Sequence, residues 1–263
     1  MKVFYSFFLV LLSFSALSQT RIKVLTYNIY HGELPYTPGK PNLDSIAKLI
    51  NQIQPDFVAC QEVDSATGRS EVLYGKRTDL IKELAAKTGM FGYFGKALEF
   101  EGGSYGEGIL SKTPLKVNTL SLPIPAGGEP RTLIYANTRL ANGQNIIVGG
   151  THLCHQSDSN RVAQVASIDQ LYRSLLVPSI VCGDFNFENT ETPYKMMMNY
   201  WKDAAEIRTI PPNTFSSDNP TKRIDYLFVT KRGNWKLINA EVFPVKYSDH
   251  MPVLFTLELT LAE

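Results

Sequence analysis

Cysteine is scarce: the 263 residues hold three, Cys60, Cys154 and Cys182. The odd number, and the apolar, strand-like run around each, argue against a disulfide framework and for small buried hydrophobes. An excess of charge of either sign is also missing. Lys and Arg number 26 against 25 Asp and Glu, and removal of Lys2 with a leader would leave 25 against 25. A protein that grips long nucleic acid through its phosphates is usually basic, so that class of partner is disfavoured. Internal repeats, low-complexity tracts and obvious linkers are absent, and no apolar run after the first approaches membrane length. Histidine occurs only as His31, His152, His155 and His250.

The first apolar run has the order of a secretion signal. Lys2 supplies a positive start, residues 3–12 are apolar apart from one serine, and Ala16-Leu17-Ser18 offers small residues for cleavage before Gln19. Residues 1–18 are therefore expected to be removed. The remaining chain, 19–263, is expected to be exported to the periplasm or outside the cell, as a monomer without a membrane span. Hydrophobic residues make up 44% of the sequence and charged ones 19%, which suits a sizeable core and not a disordered chain.

Strand-like and helical runs alternate. Residues 22–28 alternate apolar and polar. Leu43, Ile46, Ala47, Ile50 and Ile53 share a helical face behind Asn42 as N-cap, and Pro55 ends that helix. Residues 57–62 read as a buried strand. Thr78 caps a second helix through Leu80, Ile81, Leu84 and Ala85, closed by Gly89. Residues 133–140 and 145–152 flank Ala141-Asn142-Gly143-Gln144, a hairpin signal. A helix through Val162, Val165, Ile168, Leu171, Tyr172 and Leu175 follows, then strands at 179–183, 224–230, 236–245 and 253–259. This is an α/β pattern of mixed sheets covered by helices.

Polar residues collect where the apolar strands stop. Tyr27-Asn28, Gln61-Glu62, Thr151-His152 and Gly183-Asp184-Phe185-Asn186 each end one, and Ser248-Asp249-His250 precedes the last. Buried strands expel charge unless it is paired or bound to metal, and strand ends converging on one rim are where such sheets hold ligands. Glu62 is an oxygen ligand of the kind hard divalent cations prefer, or else a solvated glutamate. Asp184 and Asn186 share a face if their strand continues, with Phe185 toward the core; Gly, Asp and Asn also favour turns. Asp249 and His250 offer a carboxylate and an acid/base imidazole. Asp225 either orients that imidazole or pairs with an arginine.

In order, Leu25-Thr26-Tyr27-Asn28, Gln61-Glu62-Val63, Gly108-Ile109-Leu110-Ser111-Lys112, Thr151-His152-Leu153, Gly183-Asp184-Phe185-Asn186, Arg223-Ile224-Asp225-Tyr226 and Ser248-Asp249-His250 resemble the endonuclease/exonuclease/phosphatase superfamily of DNase I-like, metal-dependent phosphoesterases. The resemblance implies a four-layer α/β sandwich, two mixed sheets face to face with helices outside, and an active site at one rim. It implies Mg²⁺ or Mn²⁺ on Glu62, helped by Asn28 and supported by Asp249. Asp184 would position or deprotonate a water, and Asn186 would orient the water or the phosphate. His250 would act on the phosphate as acid or base with its ring fixed by Asp225, and His152 would donate to a phosphoryl oxygen. Glu107 departs from the pattern, where many relatives carry a neutral residue; it would repel phosphate, bind a second cation or point to solvent.

The expected function is hydrolysis of a phosphate ester: nucleic acid, a phospholipid headgroup or a small ester. Arg69, Lys76, Arg77, Arg131 and Arg161 are candidate phosphate contacts or solvated surface. Two other readings stand beside this one. A zinc hydrolase would draw on His152, His155, Cys154 or Cys182, whose spacing is not that of paired zinc motifs. A secreted glycan- or lipid-binding module would keep the fold without catalysis.

Overall fold

The computed structural model describes residues 20–207 and 212–260; the leader expected at 1–18 lies outside the described residues. Strand β1 (Thr20–Asn28) runs parallel to β2 (Phe57–Ser65), and helix α1 (Leu43–Ile53) makes the crossover that a parallel pair requires. The apolar stripe of α1 is buried against the sheet, as its spacing predicts. Next come α2 (Gly68–Tyr74), α3 (Leu80–Thr88), β3 (Phe91–Phe100), β4 (Gly103–Ser111), β5 (Lys116–Leu122) and the hairpin β6 (Arg131–Arg139) and β7 (Asn145–His152). Gly143 turns this hairpin at φ 85°. Helix α4 (Asp158–Leu175) crosses over to β8 (Ser179–Asp184), parallel to β7. The chain ends with α5 (Thr192–Tyr200), β9 (Trp201–Asp203), β10 (Asp225–Thr230), β11 (Asn234–Val242) and β12 (Val253–Thr260).

The strands form two six-stranded sheets, ordered β11-β12-β1-β2-β4-β3 and β5-β6-β7-β8-β10-β9. In each, only the central pair is parallel. Val24, Phe57, Ala59, Val148, Ile180 and Phe255 belong to the apolar layer between the sheets. α1 and α3 cover the outer face of one sheet, and α4 and α5 that of the other. The fold is a four-layer α/β sandwich.

This topology builds the rim. β1 lies over β8 and β2 over β7, so the carboxyl ends of the four central strands face one another. Small residues permit the close approach: a Cβ on Gly150 would stand 3.0 Å from that of Ala59. Gly183 is required more strictly, since a Cβ there would lie 1.9 Å from the carbonyl oxygen of Thr151 on the neighbouring strand.

Several local expectations change. Asp79, not Thr78, caps α3, accepting from the Lys82 amide. Asn42 precedes α1 but turns its side chain to the Tyr247 carbonyl. Strands β3 and β5 escape the sequence pattern because they are sheet edges, half-covered on both faces, and lack a clean apolar alternation. All three cysteines are buried and unpaired. Among the described residues no helix is long and apolar enough to cross a membrane.

Candidate active site

Glu62 does not end its strand. β2 continues to Ser65 through an irregularity between Cys60 and Val63, and Glu62 takes a left-handed conformation there, φ 59°. Such a backbone costs about 1–3 kcal/mol in a non-glycine residue and re-aims the side chain toward the rim. Asn28, at the end of β1, donates from Nδ2 to Glu62 Oε1 at 3.0 Å and to Asp184 Oδ2 at 3.2 Å, tying the two sheets together. Its Oδ1 accepts the Tyr30 amide. His31 stands behind Glu62, with Nδ1 3.9 Å from Oε2 and Nε2 2.9 Å from Glu33. Burial favours the neutral acid, but the hydrogen bonds from His31 and the Asn28 amide and the charge of His250 outweigh it and hold the Glu62 pKa down to about 2.

Asp184 closes β8 at the centre of the rim. Its Oδ1 accepts the Asn186 amide at 3.0 Å, and its Oδ2 lies 3.4 Å from Nε2 of both His152 and His250. Asn186 reaches this point by a route that alternation does not predict. The strand stops at Asp184, and Asn186 turns left-handed, φ 52°, so that its Nδ2 meets Leu153 O and His152 Nε2. Phe185 does face the core, among Phe187, Tyr226 and Phe228. His152 receives N–H groups from both sides, since Arg131 Nη1 is 3.2 Å from its Nδ1. A neutral imidazole accepts at one nitrogen only, so Arg131 and Asn186 compete for a single acceptor on this ring. Burial and then the Arg131 charge drive the His152 pKa well below its usual value, so the ring is neutral.

His250 is held differently. Its Nδ1 lies 2.9 Å from Asp225 Oδ2, with Asp184 on the Nε2 side and the Phe215 ring 4.8 Å away. Asp225 thus serves the imidazole, while the nearby Arg223 pairs with Asp203. Burial pulls the His250 pKa down, but Asp225 and Asp184 overcome it and raise it to about 10. Asp184 moves up as well, chiefly through burial. Asp249 accepts from Ser248 Oγ; burial raises its pKa, His250 opposes this and Glu62 adds to it.

A cavity of about 570 Å³ opens on this cluster, lined by Glu62, His152, Asp184, Asn186, Asp249 and His250. Asn28 and Asp225 stand behind that lining, each hydrogen-bonded to a residue within it. Of the candidate cations, Arg131 and Arg161 line the cavity; Arg69, Lys76 and Arg77 pair with Asp64, Glu83 and Glu71. Sequence reasoning missed His31, whose only signal was its position three residues after Asn28, and it gave no role to Tyr105, Glu188 or Lys222 of the lining. Glu107 does not point to solvent. It is fully buried beneath the site, neither carboxyl oxygen has a hydrogen-bond partner among the described residues, and burial pushes its pKa well up, so it is a neutral acid. Arg131 donates toward both His152 and His155, and a guanidinium there disfavours a cation on those two rings.

The endonuclease/exonuclease/phosphatase family profile matches residues 25–250. The chain belongs to that family. No curated protein matches the sequence significantly. Solved structures share the fold at low identity. An endonuclease/exonuclease/phosphatase from Beutenbergia cavernae is 23% identical with a TM-score of 0.74, covering 91% of this chain and 72% of its own. A mannosyl-6-phosphatase from Bacteroides thetaiotaomicron is 17% identical with a TM-score of 0.72, covering 90% and 99%. ANGEL2, a 2′,3′-cyclic phosphatase, is 15% identical with a TM-score of 0.73, covering 91% and 95%. Members of the family are phosphoesterases, both phosphatases and nucleases, and are typically metal-dependent.

The rim's donor set fits a hard divalent cation. Glu62, Asp184, Asp225 and Asp249 bring carboxylates to one small volume, and Asp225 Oδ1 is buried without a partner. Ligand atoms of Asp184, Asp225 and His250 lie within 4.8 Å of one another. The His250–Asp225 hydrogen bond already engages two of these atoms, which leaves Glu62 as the more accessible oxygen ligand, its side chain 21% exposed.

Proposed function

We propose that this protein is an exported hydrolase of phosphate esters that works with Mg²⁺ or Mn²⁺ and attacks phosphorus in line with water. The observation that carries the reading is Asp184 Oδ2, set 3.4 Å from two imidazoles of opposite protonation, neutral His152 and protonated His250. Export rests on the leader pattern of residues 1–18.

Glu62, Asn28 and Asp249 would hold the cation, which when bound neutralises charge on the phosphoryl oxygens and favours ionisation of water. The side chains divide the remaining work. Asp184, whose proton affinity is raised by burial, takes the proton of the attacking water, and Asn186 orients that water. His152 donates to a phosphoryl oxygen. His250, kept protonated by Asp225, cannot act as a base at rest; it gives its proton to the leaving oxygen. The two phosphatases among the structural relatives support a phosphate ester as substrate.

The test is turnover of p-nitrophenyl phosphate, bis-p-nitrophenyl phosphate, plasmid DNA and a choline phospholipid, with EDTA and with Mg²⁺ or Mn²⁺. Metal-dependent release that disappears in Asp184→Ala is expected. Failure on every compound would turn the reading toward a binding module.

A further inference from the structure

The catalytic cluster forms only part of the cavity lining. Much of the rest is charged: Arg131, Arg161 and Lys222 stand with Glu129, Glu188 and Glu191. They come from different elements. Glu129 and Arg131 lead into β6, Arg161 sits in the first turn of α4, Glu188 and Glu191 precede α5, and Lys222 lies ahead of β10. Four of the six neutralise one another. Arg131 Nη1 meets Glu129 Oε1 at 2.7 Å, and Arg161 Nη2 meets Glu191 Oε2 at 3.3 Å. The Glu191 carboxylate also accepts the Glu188 amide at 2.8 Å, which fixes the loop that presents Glu188. The carboxylate of Glu188 and the ammonium of Lys222 have no hydrogen-bond or ion-pair partner among the described residues, although both face the cavity.

This charged part of the lining has three cations and three carboxylates, hence no net charge, yet it offers both strong donors and strong acceptors. A polyanion is poorly matched, because the phosphates flanking the scissile one would meet Glu129, Glu188 and Glu191. A lipid is poorly matched too: the exposed large apolar residues described, Tyr36, Val72, Phe91, Leu176 and Ile207, are all outside the lining. A cationic leaving group would meet the Glu188 carboxylate, but also the ammonium of Lys222 and the guanidinium groups of Arg131 and Arg161. Hydroxyl groups fit, since each both donates and accepts: carboxylates take their protons while guanidinium and ammonium groups donate to their oxygens. The volume, about 570 Å³, is within the range that encloses a small molecule.

Resting on the phosphoesterase reading, we propose that the substrate is the phosphate monoester of a small, neutral, polyhydroxylated compound such as a sugar, and that Glu188 and Lys222 bind its hydroxyls. A site built to hydrogen-bond hydroxyls discriminates against analogues that lack them, because its polar groups are then left unpaired.

The test compares kcat/KM of the purified protein, with Mg²⁺ or Mn²⁺, on a hexose 6-phosphate, p-nitrophenyl phosphate, phosphocholine and a short oligonucleotide. The hexose phosphate is expected to exceed the aryl phosphate by about tenfold, although the aryl oxide is the better leaving group. Glu188→Gln and Lys222→Met are each expected to shrink that preference by about tenfold, through KM on the hexose phosphate. A preference for phosphocholine or the oligonucleotide, or variants that lower both monoesters in parallel, would overturn the polyol assignment and leave the phosphoesterase reading standing. No metal-dependent turnover of any compound would remove the phosphoesterase reading and this inference with it.

Discussion

Individual residues of the rim differ most in the proton they hold. Asp225 and His250 are a pair whose strength can be read from pH. The imidazole pKa is raised to about 10, against an ordinary value of 6.5. Its contribution to stability is therefore fully present below 6.5 and is lost as pH rises through about 10. Thermal melts of the metal-free protein should show this fall, and Asp225→Asn should flatten it. Glu107 behaves in the opposite sense to an ordinary stabilising carboxylate. The folded state keeps a proton that the unfolded chain gives up above its ordinary value of 4.5, so folding costs more as pH rises. Glu107→Gln should raise the melting temperature at pH 8, by about 2–4 °C for each kcal/mol relieved, and by less at pH 5. An equal gain at both would mean that no proton uptake by Glu107 accompanies folding between those pH values. In the chemistry, Asp184→Ala, Glu62→Ala and His250→Ala should each lower kcat/KM by about 10²–10⁴-fold while remaining folded. His155→Ala, which removes an acceptor from Arg131 and part of the cavity lining, should cost less than about tenfold; a comparable collapse would give His155 a direct role.

At the scale of elements, the site depends on how two strands end. The sequence pattern located β2 and β8 and the polar residues that close them. It did not reveal that Glu62 sits at a bulge or that Asn186 turns left-handed, because both are backbone conformations that neighbouring strands impose. The β7–β8 pairing sets His152 opposite Asp184, and β10 sets Asp225 opposite the same residue, so a shift of register would scatter the cluster. Gly183→Ala tests this coupling. Its Cβ would press on Thr151 O, the strands would have to part, and overpacking of that kind costs about 1–3 kcal/mol. A lowered melting temperature together with lost turnover is expected; unchanged turnover would show that the rim does not depend on that strand spacing. The edge strands β3 and β5 were illegible for the complementary reason, having no fully buried face to write an alternation into the sequence.

For the whole molecule, the two sheets act as the jaws of one site. Asn28 bonds across them, Glu62 comes from one sheet and Asp184 from the other, so a cation held between them should resist unfolding. Mg²⁺ or Mn²⁺ at about a hundred times its Kd should add about 2.7 kcal/mol to stability. EDTA should reverse the rise in melting temperature, and Glu62→Ala should abolish it. A shift that survives in Glu62→Ala would move the cation to the Asp184, Asp225 and His250 group.

Apolar periodicity by itself determined the α/β class, the central strands and the principal helices, and the polar residues near strand ends pointed to the rim, because burial writes a period into the sequence and buried strands shed polar groups. Only the tertiary structure decided what those residues do to one another. It made His152 neutral by burying it and setting Arg131 against it, kept His250 charged between two aspartates, buried Glu107 out of reach of water and brought charged side chains of several elements into the cavity lining. Protonation and pairing depend on distances between groups far apart in the chain, and sequence order carries no such distances.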